Sequence, residues 1–168
     1  FIESEDFAEV PPPKFFRLSP GREVRLRGAY LVTATSVEKD SDAHVTTVHA
    51  SYDPATRGGD APDGRKVKST MHWVSAAHAV EIQAALYDRL FTAAVPGEVT
   101  GEPLDDLNPG SRELLTGKAE AALAEAAGGQ VVQFERIGYF AADPGTPLLF
   151  HRTVGLRDEW AAIQRRQN

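Results

Sequence analysis

Residues 14–27, KFFRLSPGREVRLR, gather Lys14, Arg17, Arg22, Arg25 and Arg27 against a single acid, Glu23, in a chain whose formal net charge is −6. A guanidinium is planar and presents its N–H groups as a fork. It can donate two parallel bonds to a base edge or a phosphate, and it can stack on a base. Arg25 and Arg27 stand two apart, which on a strand aims both at one face while Leu26 turns to the other. Phe15 and Phe16 lie between Lys14 and Arg17. Aromatics beside cations on a strand-rich surface suit single-stranded RNA, whose unpaired bases need stacking platforms and edge donors. A strand whose solvent face is merely Arg-rich, with the two phenylalanines closing a core, gives the same pattern.

Other chemistry finds little support. The histidines, at 44, 49, 72, 78 and 151, are scattered and lack the i, i+2 or i, i+4 spacing of metal ligands, so no metal site is expected. There are no cysteines. That removes disulfides, thiolate ligands and thiol nucleophiles, and fits a reducing, cytoplasmic setting. No G-x-S-x-G, Walker loop or G-x-G-x-x-G occurs. The Gly-rich TRGGDAPDGRK joins two expected strands instead of opening a helix, so it is no phosphate cradle. The acids are dispersed, and no catalytic residue is assigned.

The elements that must position the basic segment read as strands. From Glu23 the pattern is two-fold: Val24, Leu26, Tyr30, Val32 and Ala34 share one face, and Glu23, Arg25, Arg27, Thr33 and Thr35 the other. HVTTVHASYD at 44–53 reads as a returning strand after the KDSDA turn, and RKVKSTMHWVSA at 65–76 as a third. Residues 76–91 fit a helix or a strand equally. AEAALAEAAGG suggests a short helix stopped by Gly128 and Gly129, residues 130–143 a further strand, and LLFHRTVGL at 148–156 another. RDEWAAIQRRQN is a short helix or a frayed tail. Strands at modest spacing between Gly, Pro and Asp turns predict an all-β fold, a sandwich or barrel, over a parallel α/β one.

At 168 residues, 42% hydrophobic and 25% charged, the chain suffices for one medium domain or two small ones. No apolar run approaches the ~20 residues of a membrane span. FIESEDFAEV lacks the basic start and apolar centre of a secretory signal. A start at Phe1 rather than Met is what a piece of a longer chain would show.

Taken together, KFFRLSPGREVRLRGAY, YDPATRGGDAPDGRKVKSTMHWVSAAHAVEIQAALYDRLF, LNPGS, QFERIGYFAAD and FHRTVGLRDEW resemble, in order along nearly the whole chain, the C-terminal anticodon-binding region of bacterial glutaminyl-tRNA synthetases. The resemblance implies two antiparallel β-barrels with few short helices: 1–75 together with 145–168 as a first, incomplete barrel whose earlier strands precede Phe1, and 76–144 as the second. It implies tRNA as partner, gripped at its anticodon loop, and an upstream catalytic domain that would use ATP and magnesium. No cofactor is expected in this chain itself. By position, Arg17 corresponds to the arginine that reads the third anticodon base. Arg25 and Arg27 correspond to the pair that meets the first base and nearby phosphates, and Gln133 to the glutamine that reads the central uridine. Lys14 falls among the anticodon-binding residues although another member has glutamine there. Phe16 stands in place of a lysine, and Glu159 in place of a threonine. Two alternatives stay open: the matching region of a glutamyl-tRNA synthetase, and a stand-alone ribosomal-RNA-binding barrel.

Overall fold

The computed structural model describes residues 1–156, in two compact units divided between Ser75 and Ala76. The structure is mostly β, and its helical pieces among the described residues are short 3-10 turns.

In the first unit β1 (Glu23–Leu26), β2 (Leu31–Lys39), β3 (Val45–Asp53) and β4 (Thr70–Met71) form one sheet in the order β3-β2-β1-β4. The two-fold pattern from Glu23 to Thr35 is not one strand. It breaks at residues 27–30, where the chain reverses so that Glu23 faces Thr33 across an antiparallel pair. Ala29 N–H donates to Leu26 O at 2.9 Å and Leu26 N–H to Tyr30 O at 3.0 Å, closing the reversal. Gly28, at φ 65°, supplies the left-handed residue this turn needs. The break was hidden because the apolar alternation continues in phase on both sides of it.

Residues 65–76 are also less regular than their alternation suggests. Only Thr70–Met71 joins the ladder, and it runs parallel to β1, opposite Arg25 and Leu26. β1 is four residues long and turns away at Gly28, so few donors remain for a longer partner. Behind the sheet Leu18, Val24, Val32, Ala34 and Met71 make the core.

The second unit holds β5 (Val80–Tyr87), β6 (Arg112–Ala119), β7 (Val131–Phe134), β8 (Gly138–Ala142) and β9 (Leu149–Gly155), in the order β6-β5-β9-β8-β7. The ambiguous 76–91 segment is therefore a strand at its centre. The alanine-rich stretch forms only a 3-10 turn, Ala121–Glu125. One run of alanines before two glycines is too short to recover the cost of nucleating an α-helix, and Leu123 and Ala126 instead pack against the core. Residues 130–143 are a hairpin rather than one strand: Phe134 pairs with Gly138 across the three residues 135–137, with Arg136 at φ 65°.

Of residues 145–168, expected with the first unit, the described strand β9 belongs instead to the second unit's sheet. β9 lies between β5, parallel to it, and β8, antiparallel to it. The reason is visible in the core, where Phe150 comes within 5.6 Å of the Phe134 ring, itself stacked on Phe140 at 4.4 Å. A strand carrying Phe150 is recruited where those rings are. The expected terminal helix or tail, with Arg157 and Glu159, falls at 157–168, outside the described residues. The sheets are not purely antiparallel, since β1–β4 and β5–β9 are parallel pairs. Neither strand order closes on itself among the described residues. No described helix is long and apolar enough to cross a membrane.

β8 and β9 approach so closely that a Cβ on Gly138 would sit 2.4 Å from the Val154 carbonyl oxygen. Gly138→Ala is therefore expected to lower stability by about 1–3 kcal/mol, read by denaturant unfolding. Gly117→Ala, where the added carbon meets nothing within 4 Å, should stay within about 0.5 kcal/mol of the parent. Equal effects at both sites would refute the close approach as the cause.

Candidate nucleic-acid interface

The basic segment separates into cations that hold the protein together and cations that face outward. Arg17 belongs first to the former. Its Nη1 pairs with the Asp6 carboxylate at 2.6 Å and donates to Glu5 O at 3.2 Å. The Asp6 side chain has no exposed surface, whereas Arg17 keeps 28% of its own. The two segments are also laced through the backbone, Leu18 N–H to Asp6 O and Ala8 N–H to Leu18 O. A buried carboxylate with such a partner fixes the arginine's position.

Arg25 is half-buried on β1. Its Nη1 donates to Ala29 O (3.3 Å) and Thr56 O (3.0 Å), and its Nη2 to Gly59 O. It thereby ties the β1–β2 turn to the loop after β3, where Thr56 Oγ1 accepts from Leu31 N–H and donates to Asp53 O. Arg27 lies one residue past β1, in the turn, and is exposed. Its carbonyl accepts from Trp73 Nε1 at 3.0 Å, which sets its backbone. Lys14 is exposed at φ 65°, in a turn closed by Phe15 N–H to Pro12 O. Pro13 and a left-handed third residue are the marks of a type II turn, a place where lysine is strained and glycine is usual. Arg17, Arg25, Arg27 and Lys14 all belong to the first unit. Gln133 belongs to the second, exposed on β7 and opposite Tyr139 of β8.

Arg65, which the sequence reading did not single out, is the most heavily engaged cation described. It makes a bidentate pair with Glu23 (2.9 and 2.9 Å) and reaches Asp53 at 2.5 Å and Asp63 at 2.7 Å. The guanidinium bonds hold the Asp53 carboxyl below the usual range, the Arg65 backbone N–H and then its guanidinium do the same for Asp63, and the three acids raise the guanidinium's own value. The signal was the Asp63-Gly64-Arg65 turn beside an acid at each strand end. Phe15 is half-buried, but Phe16 is 51% exposed.

Two further clusters could suggest chemistry. Asp40, Asp42 and His44 lie close enough to share an ion and are all exposed. Asp40 Oδ1 accepts from the N–H groups of Asp42 and His44, however, so the group is accounted for as the turn joining β2 to β3. In the second unit Tyr87 Oη meets His151 Nδ1 at 2.6 Å, and His151 Nε2 meets Asp143 at 2.7 Å. This chain of bonds links β5, β9 and the turn at 143–146.

Comparison with known proteins bears on both units. Residues 1–53 and 70–143 each match families described as tRNA synthetases class I (E and Q), anti-codon binding domain. The chain belongs to this anticodon-binding family. The anticodon-binding domain is 55% identical over 167 residues to a glutamine–tRNA ligase of Nitrobacter hamburgensis, covering 97% of the chain and 29% of the relative. It is 50% identical to one of Rhodopirellula baltica (98% and 28%) and 48% identical to one of Vibrio parahaemolyticus (98% and 30%). The chain thus spans about three tenths of the length of these curated relatives.

Within the domain, the hydrogen bond from His151, with further bonds from Gly145 and Thr146 N–H, holds the Asp143 carboxyl down at about 2, against an ordinary 3.8. A carboxyl depressed by folding stabilises the fold above its unfolded value and loses that contribution as pH falls. The difference in melting temperature between the parent and Asp143→Asn should therefore be full at neutral pH and shrink between pH 4 and pH 2. A gap that stays constant across that window would refute the assignment.

Proposed function

We propose that this domain discriminates tRNAs by their anticodon, as part of a glutamine–tRNA ligase that joins glutamine to its tRNA. The observation that carries the proposal is the match of both units to the E and Q anticodon-binding family, together with identity of about half to enzymes named glutamine–tRNA ligases over nearly the whole chain. Arg17, Arg25, Arg27 and Gln133 hydrogen-bond unstacked anticodon bases, and Lys14 holds a phosphate. Engagement of Arg17 and Arg25 with the protein supports this role, because a donor fixed before binding loses less entropy when a base arrives. ATP and magnesium belong to the catalytic part of the parent enzyme, and no step here passes through them. The two sheets are each read as one side of a β-barrel, which slow amide exchange along the outer edges of β6 and β7 would register.

Gln133 gives the cleanest test, being exposed and outside the ion-pair network. Gln133→Ala is expected to lose about 1–3 kcal/mol of binding to a glutamine tRNA transcript, and to lose it mainly against transcripts that keep the central anticodon base. Transcripts changed at that base should bind parent and variant alike. A uniform loss over all transcripts, or none, would remove Gln133 from base reading. Preference for a glutamate anticodon would favour the glutamyl-tRNA synthetase alternative.

A further inference from the structure

Beside the candidate base readers, the first unit carries a second cationic feature. A cleft of about 360 Å³ opens between Phe16 and the segment 65–69, with Arg22, Lys66 and Lys68 along it. Glu23 is the acid lining this cleft, and both its oxygens are taken by Arg65. Arg22, Lys66 and Lys68 are exposed, and no carboxylate is paired with them among the described residues. The Arg65 clamp thus has two effects: it silences the local acid, and it pins the backbone from which Lys66 and Lys68 project. Phe16 stands half out of the protein with Lys68 Nζ 6.0 Å from its ring centroid. That is a flat apolar surface with a cation over one face, leaving the other to a base.

The cleft is continuous with the proposed site. A neighbouring hollow of about 440 Å³ is lined by Arg25, and Arg65, Lys66 and Val67 border both. Separate phosphates attract lysines without regard to sequence, while an exposed aromatic accepts any base face. One ligand satisfies cations and ring together: a single RNA strand, its backbone over the cations and one base on the ring.

We propose that Phe16, Arg22, Lys66 and Lys68 form a sequence-independent subsite for the RNA strand that flanks the anticodon, with phosphates on Lys66 and Lys68 and one unpaired nucleotide stacked on Phe16. The subsite rests on the anticodon-binding reading and adds to it a distinct contribution: affinity without base choice. It explains how a domain with net charge −6 holds a polyanion, since Glu23, Asp53 and Asp63 are held by Arg65 while Lys66 and Lys68 stay exposed.

The experiment titrates glutamine tRNA transcript, and transcripts changed at each anticodon base, against the parent chain, Lys66→Gln/Lys68→Gln and Phe16→Leu over a range of salt. The paired lysine variant should bind every transcript about tenfold more weakly at 0.1 M salt. Its log-affinity against log-salt line should be shallower by about 1.4, two single-strand phosphates' worth. The ratio between cognate and changed transcripts should not move. Phe16→Leu should weaken all transcripts about fivefold or more with the salt slope unchanged, and Phe16→Tyr should restore binding. Lys66→Arg/Lys68→Arg, which keeps the charge, should retain parental affinity and slope. Parental affinity and slope in the glutamine variant, with anticodon discrimination intact, would overturn the subsite alone. A parent chain blind to the anticodon would overturn the reading on which it rests.

Discussion

The first unit turns on a carboxylate that has no water. Asp6 is completely buried, and Arg17 lies against it at 2.6 Å. Breaking a pair whose carboxylate is buried costs far more than breaking an exposed ion pair. The N-terminal segment and the basic segment are therefore coupled: where residues 4–8 go, Arg17 and Leu18 follow. Arg25 repeats the arrangement with backbone oxygens instead of a carboxylate, joining the β1–β2 turn to the loop at 54–59. In both cases a side chain suited to RNA is first a strut of the fold. Preorganisation and stability come from the same bonds.

This arrangement divides the charge by engagement. Arg65 consumes three acids and is consumed by them. Lys66 and Lys68, its near neighbours in sequence, are left facing solvent. Net charge governs long-range steering, whereas capture of a strand depends on the local field, and here the local field is set by which acids are already bound. In the second unit the exposed Gln133 sits on a strand held by the Phe134–Phe140–Phe150 cluster. The Gln133 amide thus stands on an aromatic core rather than on an ion-pair network.

Much of the β architecture was legible in the amino-acid pattern. The strand at 45–53, the strand at 149–155 and the turns after Lys39 and Asp143 lie where alternation and Asp/Gly chemistry put them. The two unforeseen hairpins share one physical origin. The hairpins at 27–30 and 135–137 look like continuous strands in the sequence because a tight turn keeps the alternation in phase and is marked only by one left-handed residue, Gly28 or Arg136. The sheet that β9 would join could not be seen either, because Phe150 finds its partners through tertiary packing and not through sequence neighbours. For the candidate site, spacing showed that cations cluster, but not which were occupied. Arg17 and Arg25 look alike in sequence to Arg22 and Lys66, and only the positions of Asp6 and of three carbonyls separate them.

The central claim is that the Asp6 carboxylate orients Arg17 for its task. Asp6→Asn changes the anchor and leaves the guanidinium in place. With the variant confirmed folded by circular dichroism at the assay temperature, discrimination should be measured among glutamine tRNA transcripts that differ at the third anticodon base. A loss of that selectivity, with selectivity at the other two bases retained, is the predicted result. Full selectivity at the third base in a folded Asp6→Asn variant would contradict the account.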